Sequence, residues 1–199
     1  MKKNIHLDLG THFGQGLREI IDTIKINQDW LIYSFESNPI TFQEFKNNGG
    51  HNQFPLLNIN YINKAVGTKN ANITVNLETA ENTKRPNGMA STTIGLDEWS
   101  PWEGIYQNRF KETRIVECID FSDFVEKLDS DSITCKMDIE GAEFDILEKM
   151  IQDNTINKIH KIWIEFHDHF FLNKELYANR KNNIIKYLQK SNIDIHIWQ

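Results

Sequence analysis

Three stretches of the chain combine residue types that do chemistry. The first is Asp8-Leu9-Gly10-Thr11-His12-Phe13-Gly14-Gln15-Gly16. Glycines let a backbone turn sharply and approach a ligand closely, because no Cβ intervenes. The order is G-x-x-x-G-x-G, not the G-x-G-x-x-G of a dinucleotide fingerprint, and Asp8 stands two residues before the first glycine. A carboxylate there repels a pyrophosphate. It suits a ligand with a cationic ammonium and no phosphate, such as S-adenosylmethionine. Glu36 lies 20 residues beyond Gly16, where an acid can accept hydrogen bonds from both ribose hydroxyls of an adenosine.

The second stretch is Lys136-Met137-Asp138-Ile139-Glu140-Gly141-Ala142-Glu143. Read as a strand through Ile139, it places Lys136, Asp138 and Glu140 on one side. Three charges on a central strand are costly unless they pair or face a site. Asp138 and Glu140 are therefore candidate catalytic groups, while Glu143 reads as an acid favouring a helix N-terminus. The third stretch is Glu165-Phe166-His167-Asp168-His169. His167 is a candidate general base, since a free imidazole titrates near neutral pH. Asp138, Glu165 and His167 are alternatively a ligand set for Mg²⁺ or another divalent ion, although Mg²⁺ prefers oxygen. His12, Glu165 and Asp168 are further substrate-contact candidates, as are Trp99 and Trp102, whose aromatic faces can stack on sugar rings. His6, His51, His160 and His196 read as structural.

These groups need a scaffold that gathers them, and the hydrophobic pattern supplies one. Ile5 to Leu9 and Trp30 to Phe35 are short apolar runs that read as strands. Between them, Leu17, Ile20, Ile21 and Ile24 have amphipathic-helix spacing. Asn38-Pro39 opens a helix through about Lys46, and Leu56 to Ile62 is a third strand. Strands at Ile133–Ile139, Ile159–Phe166 and Ile193–Trp198 follow, with a helix at Lys174–Lys190 between the last two. Alternating strands and helices predict a parallel sheet with helices on both faces. Residues 67–112 differ, being rich in Asn, Thr, Ser and Gly. They read as a β-rich insertion after the third strand, a lid beside the active-site end. Within it, Ile73–Leu77 and Thr92–Ile94 are expected to form a hairpin. No internal repeat or linker divides the chain, so a single domain over 1–199 is expected.

The composition excludes several classes. With 39% hydrophobic and 25% charged residues among 199, the chain can bury a core and is not disordered. Lys and Arg total 22 against 28 Asp and Glu, a net charge of −6 that disfavours nucleic-acid phosphates and anionic lipid. No apolar run is long enough to span a membrane, and Met1-Lys2-Lys3-Asn4 does not open a signal peptide. Cys118 and Cys135 lack metal or disulfide spacing. A cytoplasmic location is the expectation, and the oligomeric state is not encoded in any pattern.

Taken in order, Asp8-x-Gly10-x-x-x-Gly14, Phe35-Glu36-Ser37-Asn38-Pro39, Asn63-Lys64-Ala65-Val66-Gly67 and Lys136 to Glu143 resemble the FkbM-type S-adenosylmethionine-dependent methyltransferases. The resemblance spans nearly the whole chain. It implies a Rossmann-like class I methyltransferase fold and O-methylation of sugars or glycosylated compounds of the capsule, lipopolysaccharide or viral glycan type. Carried onto this sequence, it implies that Asp8, Gly10, Thr11, Phe13, Gly14 and Gly16 hold the methionine end and Glu36 the ribose. Ser37 and the Asn63-Lys64-Ala65 loop border the adenine, and Asp138 faces the sulfonium and substrate. The family often has Ala-Asn at Thr11-His12, carries N-terminal helices before its first strand, and ends in a two-stranded hairpin. Here one strand follows the last helix, so the sheet is expected to be a strand short or completed from the insertion. Two other functions fit the residues: an RNA ribose or cap methyltransferase, and a non-catalytic module that binds an adenosine cofactor.

Overall fold

The computed structural model describes residues 3–78, 91–98 and 110–198. Strands β1 (Asn4–Leu9), β2 (Trp30–Phe35) and β3 (Asn58–Ile62) alternate with helices α1 (Gln15–Ile24) and α2 (Pro39–Asn47). Strands β4 (Ala65–Gly67), β5 (Ala71–Glu78) and β6 (Phe110–Asp120) follow, then α3 (Phe121–Glu126), β7 (Ile133–Met137) and α4 (Glu143–Gln152). The described chain closes with β8 (Ile159–Glu165), α5 (Lys174–Lys190) and β9 (Asp194–Trp198).

Six strands form the main sheet in the order β3-β2-β1-β7-β8-β9, every neighbouring pair parallel. Strand order reverses between β1 and β7, and such a switch point opens a crevice at the strands' carboxyl ends. Among the described residues no insertion strand joins this sheet. Instead, β4, β6 and β5 build a separate three-stranded sheet, with β4 parallel and β5 antiparallel to β6. Among the described residues the expected hairpin is reduced to one antiparallel bridge, Asn76 to Thr92, on the edge of β5 away from β6.

Alternation along the strands sorts side chains to two cores. Ile5, Leu7, Leu9, Ile133, Cys135 and Met137 face α3, α4 and α5, which contribute Phe121, Phe144, Leu147 and Leu188. On the other face, Leu17 and Ile20 of α1 pack against Ile32 and Trp163. Both cysteines are buried and free. Helix α2 begins as its sequence dictates: Asn38 Oδ1 accepts from the Ile40 and Thr41 N–H groups, with Pro39 at the first turn. Among the described residues no helix is long and apolar enough to cross a membrane.

The α1 side of the sheet centre also carries polar groups: His6 and Asp8 from β1, beside Thr134 and Lys136 from β7. His6 has no exposed surface; its Nδ1 lies 2.8 Å from Thr134 Oγ1, and its Nε2 has no hydrogen-bond partner. Burial, reinforced by the Lys136 charge, pulls its pKa from 6.5 down to about 3. The unfolded chain takes up that proton near 6.5 and the folded chain only near 3. Below pH 6.5 this site therefore removes about 1.4 kcal/mol of stability per pH unit, until the loss saturates near the folded value. Buried carboxylates such as Asp8 shift the other way, so the check is a difference. Urea unfolding of wild type and His6→Leu at pH 7 and 4 should show the wild type losing more stability on acidification. Equal losses would show that His6 does not titrate in this way.

Candidate active site

The glycine loop is fastened by close approach. Gly10 and Thr11 donate their N–H groups to the Phe35 carbonyl at 3.0 Å each. Gly10 has φ +80°, and a Cβ there would lie 1.8 Å from the Asp138 carbonyl oxygen, so only glycine lets the loops after β1 and β7 meet. Beneath them, Lys136 is buried, its Nζ 2.8 Å from the Gly10 carbonyl and 3.1 Å from Asp138 Oδ2. Burial pulls its pKa down, but Asp138 and Asp8 outweigh this and hold the ammonium above its usual range.

Several of the expected ligand contacts also brace the scaffold. Asp8 is fully buried under the loop, its Oδ2 accepting from the Thr11 hydroxyl at 2.9 Å and the Ser34 hydroxyl at 2.8 Å. Neither Asp8 nor Thr11 is on the cleft wall, so Asp8 shapes the loop from below and offers no open carboxylate to an ammonium. Gly14, with φ +84°, caps α1, and a Cβ on Gly16 would come 3.0 Å from Lys136 Cε. Gly16 thus lets α1 pack onto the buried lysine. Phe13 packs its ring against that of His12. Asn63 reaches Glu36 through its backbone, Nδ2 donating to the Glu36 carbonyl at 2.8 Å.

The cleft encloses about 610 Å³, including the open solvent at its mouth. Gly10, His12, Glu36 and Ser37 line one side, Lys64, Ala65 and Val66 another, and Asp138, Ile139, Glu140 and Ala142 the third. Ser91 and Thr93 complete the wall as described. Glu36 Oε2 accepts from the His12 N–H and Oε1 from the Asn38 N–H, both at 2.8 Å. Each oxygen keeps a lone pair for a further donor. Burial raises the Glu36 pKa, and the two N–H bonds oppose that rise.

Strand β7 ends at Met137, earlier than expected, so strand alternation does not govern Asp138 and Glu140. Glu140 has φ +53° and Gly141 φ +104°. This left-handed pair turns the chain into α4, whose first residue, Glu143, is fully buried. Glu143 Oε2 accepts from the Gly141 N–H at 2.9 Å. Its Oε1 accepts from the His167 N–H at 2.8 Å and lies 3.1 Å from His167 Nδ1. His167 Nε2 then faces Glu140 Oε2 and Glu165 Oε1 at 3.7 Å each, and Asp138 Oδ1 at 3.9 Å.

This setting disfavours His167 as a neutral-pH base. Burial pulls its pKa down, but Glu143 first, then Glu140 and Asp138, outweigh that and push it up to about 10. The ring is an imidazolium at neutral pH and has no lone pair with which to take a proton. Glu140 is pushed up to about 8, chiefly by burial, with His167 opposing the rise. For Asp138 burial raises the pKa, but Lys136 and His167 prevail and hold it below the usual carboxylate range. Asp168 points elsewhere, paired with Lys181 at 2.9 Å. Among the described residues, the group whose atoms could share a metal ion is Asp138, Glu140 and His167. Glu140 thus takes the place expected for Glu165. Trp99 and Trp102 lie outside the described residues.

Ser91 and Thr93 had no assigned role from sequence, and Glu143 had only that of an acid at a helix N-terminus. Glu143 carried a signal, its fixed place two residues after Gly141. Ser91 and Thr93 carried none beyond lying in the polar insertion.

A model of the methyltransferase FkbM domain matches residues 8–192. The crystal structure of methyltransferase FkbM from Methylobacillus flagellatus KT aligns with a TM-score of 0.47 and 14% identity. That alignment covers 96% of this chain but 38% of the other, so the chain spans well under half the length of that protein. No curated protein matches. With the family model covering nearly its whole length, the chain belongs to the FkbM methyltransferase family.

Proposed function

We propose that the protein transfers a methyl group from S-adenosylmethionine to a hydroxyl of a sugar or glycan. The observation that carries this reading is one cleft with the Glu36 carboxylate on one side and Asp138 and Glu140 on another. The cleft suits the cofactor in chemistry. Glu36 retains lone pairs for two ribose hydroxyls, and Ala65, Val66, Ile139 and Ala142 offer apolar surface for a base. His12 and Gly10 border the remaining end.

S-adenosylmethionine supplies a methyl already activated on a sulfonium, so the protein must hold an oxygen in line and take its proton. Asp138, fixed by Lys136, presents negative charge toward the sulfonium end. Glu140 stands beside it and, as a carboxylate, takes the acceptor hydroxyl's proton while the methyl passes from sulfur to oxygen. The acceptor side is the strap of residues 91–98, one described part of the 67–112 insertion. Thr92 donates its hydroxyl to the Glu140 carbonyl at 2.6 Å, and Asn38 Nδ2 donates to Ser91 Oγ at 3.0 Å. Ser91 and Thr93 hydroxyls then flank the place where a sugar would lie.

The test is calorimetric titration with S-adenosylmethionine and S-adenosylhomocysteine, with NAD as control. Binding of the first two and not of NAD supports the cofactor; no binding of either by a folded sample removes it. Glu36→Ala is expected to weaken S-adenosylmethionine by about 1.5–3 kcal/mol, or roughly 10–150-fold, the worth of hydrogen bonds to a charged group. Unchanged affinity would sink the ribose assignment. A folded protein that binds cofactor but methylates no hydroxyl acceptor would favour the binding-module reading.

A further inference from the structure

We propose that Asp138, Glu140 and His167 form a site for a divalent transition ion of the manganese type, set in the cleft wall where the acceptor hydroxyl would lie. This deepens the methyl-transfer reading and rests on it for the ion's role, though not for the ion's binding.

The geometry carries the argument. One ligand atom from each residue can be chosen so that all lie within 4.8 Å of one another. Metal–ligand distances of about 2.1 Å place adjacent ligands about 3.0 Å apart and opposite ones about 4.2 Å apart. The separations of 3.7 and 3.9 Å from His167 Nε2 to Glu140 and Asp138 fall between those limits. They are too long for hydrogen bonds.

A second observation points to a ligand. Glu140 Oε2 is shielded from solvent and has no hydrogen-bond partner, yet it is aimed into this cluster. The His167 ring faces it from beyond hydrogen-bond distance, and a buried oxygen with no donor in reach is costly. The histidine is also held as a metal ligand is held. A carboxylate on one ring nitrogen orients the ring and leaves the other nitrogen to coordinate. Glu143, fully buried, does this at Nδ1, which directs Nε2 toward Asp138 and Glu140.

The donor set selects the ion. Two carboxylates and one imidazole suit manganese or ferrous ion better than Mg²⁺, which prefers oxygen alone. His167 releases its Nε2 proton on ligation, and the ion takes over as the positive charge among the carboxylates. Asp138 and Glu140 also line the cleft, so open coordination positions would face an entering hydroxyl. Lewis-acid contact would lower that hydroxyl's pKa.

The experiment is titration of the purified protein with Mn²⁺, followed by the loss of the free-ion EPR signal. Wild type should bind one Mn²⁺, with Mg²⁺ a weaker competitor. Asp138→Asn and Glu140→Gln, with folds checked by circular dichroism, should each bind at least ~10-fold more weakly. On wild type alone, substoichiometric Mn²⁺ should broaden the His167 imidazole resonances before those of His51 or His196. No Mn²⁺ binding at millimolar concentration would overturn the proposal. So would binding that neither variant weakens, or broadening that spares His167. Cofactor titration is run separately. S-adenosylmethionine binding without Mn²⁺ binding defeats the ion alone, and Mn²⁺ binding without S-adenosylmethionine binding defeats the methyl-transfer reading alone.

Discussion

Gly10→Ala should cost about 2–6 kcal/mol of folding stability, the sum of a left-handed alanine and an overpacked contact. The added methyl would meet the Asp138 carbonyl oxygen at 1.8 Å, and that oxygen belongs to backbone, not to a side chain that can swing away. Relief requires the ends of β1 and β7 to part. Parting them disturbs the Lys136 bonds to the Gly10 carbonyl and to Asp138. Urea unfolding measures the loss, and cofactor titration of whatever remains folded should show weaker binding. Gly49→Ala is the control. That glycine is also left-handed, at φ +72°, but nothing lies within 4 Å of where its Cβ would stand. It should cost only about 1–2 kcal/mol. Equal losses at the two positions would show that φ alone matters and that the strand contact does not.

Glu143→Ala is expected to cost about 3–5 kcal/mol, the penalty for removing one partner of a buried ion pair. The residue is fully buried and accepts from the Gly141 N–H, from the His167 N–H and at the His167 ring. Its loss strands an imidazolium and frees the left-handed turn that aims Glu140. The double mutant Glu143→Ala/His167→Ala separates these effects. If the stranded charge dominates, the double mutant should be less destabilised than the two single losses summed, by about 1–3 kcal/mol. Strict additivity in chemical denaturation would mean that the pair is not coupled and that Glu143 acts only on the turn.

The scaffold was largely legible because its signals are local and periodic. The apolar runs of β1 and β2, the stripe of α1, the Asn38-Pro39 start of α2 and the bounds of α5 all follow from side-chain spacing. Glu36 was legible for the same reason, since a strand end after a glycine loop marks the crevice. The segment that carries Asp138 and Glu140 was less so. Lys136-Met137-Asp138-Ile139-Glu140 alternates like a strand to its last residue, yet the chain leaves the sheet at Met137. Nothing in the alternation announces a left-handed glutamate. Asp8 looked like a ligand contact because it precedes the glycines. Its side chain instead faces α1, where Ser34 and Thr11 already bond it. The charge of His167 was beyond reach because it depends on four carboxylates brought to one ring. Three of them come from the turn into α4 and one from the end of β8. Ser91 and Thr93 reach the cleft through a single bridge to β5, too little periodicity to read.

The pairing of β1 with β7 has a consequence for how the protein comes into being. His6 and Thr134, hydrogen-bonded across this seam, are 128 residues apart in the chain. Such a contact closes late, because a long loop must be ordered before any reward is collected. During synthesis at about 5–20 residues per second, β1 waits several seconds for its neighbour. Until then Asp8 lacks Lys136 and the glycine loop lacks the carbonyl it is shaped to meet. Recognition and maturation are thus one event: the nascent chain has no weak early version of the site to be refined. A ligand that recognises only the finished crevice acts as a latch on the last-made seam, drawing the population toward the completed sheet.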